Sequence, residues 1–197
     1  MRFMLGVDEA GRGPLAGPVA VGIVAVPEGF VVEKEFPGVK DSKKLSEKKR
    51  AQLFEMLLAR ETQGDVRFKV ELETASDIDQ EGIAVVIRRA VSRGLNILAP
   101  DSSLVQVFLD GGLKAPPEYA QETIIKGDDL VPLISLASIA AKVTRDRLMT
   151  ALSETYPLYG FEIHKGYGTK KHYENLYAHG LSEIHRRSFV HLDQSQN

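Results

Sequence analysis

Four carboxylates in this sequence follow apolar, strand-like runs: Asp8 and Glu9 after residues 3–7, Asp110 after 104–109, and Asp128 just after the short run 123–125. In α/β sheets, ligands gather beyond strand ends, where loops converge. Acids brought together there repel one another, and a cation between them offsets the cost. Hard oxygen donors of this kind suit Mg²⁺ or Mn²⁺ better than zinc. The chain has no cysteine, which excludes a thiolate metal site and a disulfide framework. The residues therefore point to a carboxylate cluster holding divalent metal at one edge of a sheet. Each acid taken singly also fits a solvated turn, and Asp110-Gly111 is a hairpin-turn pair. Asp8 and Glu9 are adjacent, so strand alternation sends them to opposite faces. Both can bind metal only if the chain bends there, which the glycines that follow permit.

Gly11-x-Gly13-x-x-x-Gly17 invites comparison with a dinucleotide-binding loop. That fingerprint requires a helix directly after the turn. Pro14 and Pro18 punctuate the stretch instead, and a β-branched run follows at 19–26. A phosphate loop of the Gly-Lys-Ser/Thr type is absent.

The elements that must position these residues are readable from periodicity. Residues 3–8 and 19–26 predict two strands joined by a loop too short for a crossover helix, which favours antiparallel pairing. Ser46 predicts the N-cap of a helix reaching about residue 60, with Leu53, Phe54, Leu57 and Leu58 as its inner stripe. Alternation of Val66, Phe68, Val70 and Leu72 predicts a half-buried strand. Ile83, Val86, Ile87 and Ala90 follow helical spacing. Strands are predicted at 104–109 and 123–125, and a helix from about 132–135 with Leu136, Ile139, Ala140 and Val143 inward. A last helix is predicted at 170–177. The pattern is α/β, with early strands able to form a meander and a polar, helical C-terminal piece.

Lysine and arginine number 25 against 27 acids, a net charge of −2, which excludes a uniformly basic nucleic-acid binder but leaves room for a local basic face. Lys40, Lys43, Lys44, Lys48, Lys49 and Arg50 crowd one stretch, and Lys165, Lys170, Lys171, Arg186 and Arg187 form a second group. No apolar run approaches the ~20 residues of a membrane span. The start reaches acids too early for a secretory signal, so a cytoplasmic protein without a membrane partner is expected.

Asp8-Glu9-Ala10-Gly11-Arg12-Gly13-Pro14-Leu15-Ala16-Gly17-Pro18-Val19 resembles the N-terminal signature of ribonuclease HII, the type 2 ribonuclease H. The likeness continues through Asp41-Ser42-Lys43-Lys44-Leu45, Leu109-Asp110-Gly111 and Lys126-Gly127-Asp128. It extends over Ala137-Ser138-Ile139-Ala140-Ala141-Lys142-Val143-Thr144-Arg145-Asp146 to His164-Lys165-Gly166-Tyr167-Gly168-Thr169 and His185-Arg186-Arg187-Ser188-Phe189. Gly112 and the bulky Leu136 depart from the family pattern without touching the acids.

The resemblance implies a ribonuclease H-like fold: a five-stranded mixed sheet flanked by helices, with a C-terminal helical extension. It divides the chain into a catalytic part, 1–155, and an extension, 156–197, packed on it. It implies an endonuclease that hydrolyses the RNA strand of RNA–DNA hybrids and cuts 5′ of ribonucleotides embedded in duplex DNA. The products would carry 3′-hydroxyl and 5′-phosphate ends, and the task would belong to DNA replication and repair. It assigns Asp8, Glu9, Asp110 and Asp128 to catalysis and to two Mg²⁺ or Mn²⁺ ions. It assigns Gly11, Arg12 and Gly13 to reading the 2′-hydroxyl, and Tyr167 to stacking on the following sugar. Ser42, Lys43 and Lys44 are expected on phosphates, with Lys142 and Arg145 as weaker candidates. Asp146 is expected to pair with a base on its own helix, and Arg186, Arg187 and Phe189 to anchor the C-terminal piece. His164, His172 and His185 are expected to be structural or exposed. A monomer is expected. Other two-metal nucleases of the same fold class would share the acids but not the Gly-Arg-Gly and Gly-Tyr-Gly blocks, and a silent hybrid-binding module would not need all four acids.

Overall fold

The computed structural model describes residues 2–39 and 45–192. Five strands form one sheet: β1 (Phe3–Ala10), β2 (Val19–Pro27), β3 (Arg67–Glu73), β4 (Val105–Asp110) and β5 (Ala120–Ile124), in the order β3-β2-β1-β4-β5. β2 runs antiparallel to both β1 and β3, whereas β4 is parallel to β1 and to β5, so the sheet is mixed. The antiparallel β1–β2 pair follows the expectation from its short loop.

The helices are α1 (Val32–Glu35), α2 (Glu47–Gln63), α3 (Ala75–Glu81), α4 (Ile83–Leu98), α5 (Gly127–Leu130), α6 (Pro132–Thr155), α7 (Phe161–His164) and α8 (Lys170–His179). Among the described residues no helix is long and apolar enough to cross a membrane. The Ser46 hydroxyl accepts the Lys49 amide at 3.2 Å and caps α2, and Gly64 ends that helix in a left-handed conformation, φ 84°.

Strand alternation sorts the core into two layers. Leu5, Val7, Val19, Val21, Ile23, Val105, Val107 and Leu109 pack with Val86, Ala90, Val91 and Leu95 of α4. Val24, Val26, Met4 and Phe108 face the other way, onto Leu136, Ile139 and Ala140 of α6 and Leu53 and Leu57 of α2. Two glycines let α6 lie directly on the strands. A Cβ at Gly6 would collide with the Leu133 carbonyl, and one at Gly22 with that of Ala137. The α6 axis is thus seated against β1 and β2 at backbone distance, next to the strand that carries the first acids.

Two local expectations are corrected. Asp110-Gly111 does not turn a hairpin, because β4 and β5 are parallel. The irregular link between them is knit by Gln121, whose side chain bonds the Ala115 backbone in both directions at 2.9 and 3.1 Å. On β3, Phe68 and Val70 face the α6 layer, but Leu72 is 36% exposed while Glu71 and Glu73 are buried. Arg89 and Arg93 of α4 reach over this edge strand and pair with both glutamates, so charge pairing covers its far end where apolar packing stops. The sequence reading also leaves out α1, α3, α5 and α7.

The C-terminal piece packs its own cluster, Tyr159, Phe161 and Leu176, against Leu15, Ala16 and Met149. Three histidines belong to it. His164 and His172 stack at 4.3 Å between ring centroids, and His172 Nε2 lies 3.1 Å from His185 Nε2. All three are buried, and desolvation is the first cause lowering their pKa values, His185 to about 4.

Candidate active site

The parallel register pairs Val7 with Leu109. Both side chains enter the α4 layer, so the next residue on each strand, Asp8 and Asp110, projects toward α6. Two carboxylates are thereby set side by side at the ends of neighbouring strands. They line a cavity of about 500 Å³ together with Glu9, Ala10, Gly11, Arg12, Gly13, Arg50, Ser138, Lys142 and Tyr167.

Asp8 is only 4% exposed. Burial pushes its carboxyl up to about 8, with Asp110 and Glu9 adding repulsion, while hydrogen bonds from the Ser138 hydroxyl and the Glu9 amide work against the rise. The Glu9 amide lies 2.7 Å from Asp8 Oδ1. Alternation does turn Glu9 away from the Asp8 face, and β1 continues regularly to Ala10 rather than bending. Glu9 remains at the cavity wall because it sits at the strand's end, where Arg12 Nη1 reaches its Oε1 at 3.1 Å.

Asp128 occupies a different position. It lies on the one-turn helix α5, fully buried, and its amide donates to Asp110 Oδ1 at 3.3 Å. The Ser135 hydroxyl bonds its carbonyl. Its carboxylate is not part of the cavity wall, so three of the four expected acids share the cavity and the fourth stands against Asp110. Among the described residues no three His, Asp or Glu side chains are drawn into a finished ligand set. The donors nonetheless fit hard divalent cations: they are carboxylate oxygens at adjacent chain ends, one of them raised by burial and by the charge of its neighbours. Asp8 and Asp110 would hold such ions from the cavity side, with Glu9 and Asp128 within one element of them.

The Gly-Arg-Gly segment reaches the cavity because two arginines hold its backbone from behind. Arg145, expected on phosphates, is instead fully buried. It donates to the carbonyls of Pro18 at 2.8 Å, Lys165 at 2.9 Å and Ala16 at 3.1 Å. Gly11 has φ 86°, and a Cβ there would strike the Arg145 side chain, so this position requires glycine. Arg186, equally buried, donates to Gly11 O at 2.7 Å, Arg12 O at 3.0 Å and Gly17 O at 2.9 Å. The C-terminal piece also bonds this loop through Leu15 N to Gly166 O, Gly17 N to Ile184 O and Arg186 N to Leu15 O, each at 2.8 Å.

Tyr167 is 41% exposed at the cavity rim. Lys142 Nζ and Arg145 Cζ lie 5.5 and 5.8 Å from its ring centre. Lys142 also pairs with Asp146 at 2.8 Å, the i,i+4 partner expected on that helix. Ser42, Lys43 and Lys44 lie outside the described residues. Ser138 and Arg50 are the wall residues that sequence reasoning missed. The usable signal for Ser138 was its i,i+4 spacing from Lys142, which sets one polar strip on an otherwise buried helix.

Comparisons with known proteins agree with this geometry. The sequence model of Ribonuclease HII matches residues 5–192. The chain is 44% identical over 190 residues to Ribonuclease HII of Bacillus cereus (strain Q1), covering 96% of this chain and 70% of that one. Among solved structures, RNase HII of Archaeoglobus fulgidus, determined in complex with PCNA, superposes with a TM-score of 0.75 at 25% identity, covering 98% of each chain. The ribonuclease H2 of Pyrococcus horikoshii OT3 superposes with a TM-score of 0.74 at 27% identity, covering 94% of this chain and 93% of that one. Sequence, sheet order and the acid-lined cavity lead to one conclusion: the chain belongs to the Ribonuclease HII family, nucleases that hydrolyse RNA paired with DNA.

Proposed function

We propose that the protein cuts on the 5′ side of ribonucleotides, including single ones embedded in duplex DNA, and leaves 3′-hydroxyl and 5′-phosphate ends. The observation that carries this reading is the pairing of Asp8 with Asp110 at a cavity whose opposite rim holds Gly11-Arg12-Gly13 and Tyr167. Two divalent ions of the Mg²⁺ or Mn²⁺ type, when bound, would lower the pKa of the attacking water and stabilise charge on the departing 3′-oxygen.

The chain's own groups supply the rest. Asp8 and Asp110 turn carboxylate oxygens to the scissile phosphate's surroundings, and Glu9 and Asp128 add negative charge from the strand end and from α5. The Ser138 hydroxyl orients Asp8 by hydrogen bonding. Gly13 lets a backbone approach closely, since nothing within 4 Å stands where a Cβ would be. This suits recognition of a 2′-hydroxyl, the group that separates ribose from deoxyribose. Tyr167 offers a ring face to the next sugar, and Lys142 and Arg50 offer charge to phosphates without reading sequence. The 2′-hydroxyl is not the nucleophile, so no cyclic phosphate forms. Residues 1–155 carry the chemistry, and 156–197 brace its rim.

The test is a labelled DNA duplex bearing one ribonucleotide, incubated with the protein and Mg²⁺ or Mn²⁺. A single cut 5′ of the ribonucleotide with a ligatable 3′-hydroxyl is expected. Cleavage 3′ of it, or a 2′,3′-cyclic phosphate end, would contradict the reading.

A further inference from the structure

Arg186 is a buried cation whose guanidinium hydrogen bonds all end on carbonyls of one loop: Gly11, Arg12 and Gly17. Burying a guanidinium is costly, and arginine's rigid fork is suited to holding several acceptors at once. Its other neighbour is Phe189, whose ring centre lies 5.2 Å from Cζ. Desolvation, followed by the nearby Arg145, lowers its pKa to about 9.

The peptide bonds of this loop are trans, so a carbonyl and the amide that follows it point in opposite directions. Nη2 draws the Gly11 carbonyl inward and Nη1 draws that of Arg12 inward. The amides of Arg12 and Gly13 are therefore turned the other way. Gly11, Arg12 and Gly13 all line the acid-walled cavity on that side. The β1–β2 ladder ends at Ala10, and neither amide has a backbone acceptor among the described residues.

We propose that Arg186 is a positioning residue: by clamping the Gly11 and Arg12 carbonyls from behind, it aims the Arg12 and Gly13 amides as a donor pair at an oxygen of the ribonucleotide. This rests on the proposed ribose-reading role of the loop and explains how that role is built. Arg186 touches no substrate. Lysine in its place keeps the charge but cannot span two carbonyls 2.7 and 3.0 Å from separate guanidinium nitrogens.

Two measurements test it. In the ¹⁵N-labelled native chain, held in EDTA so that no cleavage occurs, a duplex with one ribonucleotide should shift the Arg12 and Gly13 amide protons downfield, and an all-DNA duplex of the same sequence should not. Equal shifts with both duplexes, or none, would overturn the proposal, whether or not any variant folds. Second, Arg186→Lys should weaken binding of the ribonucleotide duplex about tenfold and leave binding of the all-DNA duplex unchanged. A merely structural role would weaken both alike or neither, and either result would overturn the clamp. A native chain that cuts 5′ of the ribonucleotide while these amides stay silent would sink the clamp alone. A native chain that does not cut there would sink the underlying reading.

Discussion

Asp8 and Asp110 stand one residue beyond the paired Val7 and Leu109, on the same face of two parallel neighbours. The proximity of the acids is thus a consequence of strand register. A one-residue slip of β4 would send Asp110 to the α4 layer and pull the pair apart. The register is held from both sides, by Leu109 in the core and by Gly6, which admits the α6 backbone against β1.

Asp8→Asn and Asp110→Asn should each abolish cleavage, by about a thousandfold or more, because several kcal/mol of charge stabilisation at the phosphate would be lost. The fold should survive. In metal-free buffer near neutral pH, Asp8→Asn should even raise stability by about 1–2 kcal/mol, since it removes a buried acid whose pKa is pushed up to about 8. Calorimetry in EDTA and a cleavage assay check the two halves. A destabilised, active Asp8→Asn variant would contradict both.

Tyr167→Ala should lower kcat/KM on a lone embedded ribonucleotide by about tenfold, equivalent to roughly 1.4 kcal/mol of lost contact. Tyr167→Phe keeps the ring that Lys142 and Arg145 approach and should behave like the native chain. Steady-state kinetics on matched substrates decide it. A phenylalanine variant as impaired as the alanine one would move the role from the ring to the hydroxyl.

Gly22→Ala should cost about 1–3 kcal/mol, because its Cβ would meet the Ala137 carbonyl of the helix that also carries Ser138. Reduced activity should accompany the lower thermal midpoint as Ser138 shifts from Asp8. Chemical denaturation together with kinetics reports both effects.

Much of this was legible in the residues. The four long apolar or alternating runs located β1, β2, β3 and β4, and helical spacing located α2, α4, α6 and α8. What periodicity could not show was anything shorter than two turns, so α1, α5 and α7 went unseen, and with α5 the fully buried setting of Asp128. Nor could it reveal that Arg145 and Arg186 lie inside. Arginines read as solvated until the carbonyls that satisfy them are known, and those belong to a loop 127 or more residues away in sequence. The histidines were similarly ambiguous: their burial comes from stacking on one another and on Phe161.

That histidine cluster carries its own pH signature. The folded pKa of His185 is depressed to about 4 by desolvation and then by His172, against an unfolded value of 6.5. Below 6.5 the unfolded chain therefore binds more protons. The stability contributed by the neutral cluster is complete above pH 6.5 and is lost as pH falls toward 4, at a cost of roughly 1–3 kcal/mol. Imidazole NMR should find His185 neutral at pH 5.5, with hydrogen exchange in α8 accelerating below that. An imidazole titrating near 6.5 would contradict the buried arrangement.

The most direct test of the central claim is anomalous diffraction from crystals soaked in Mn²⁺. Manganese density in the cavity within coordinating distance of both Asp8 and Asp110 is predicted, about 2.0–2.3 Å from their oxygens. Crystals in which these two carboxylates bind no common site, with manganese elsewhere or nowhere, would contradict the account.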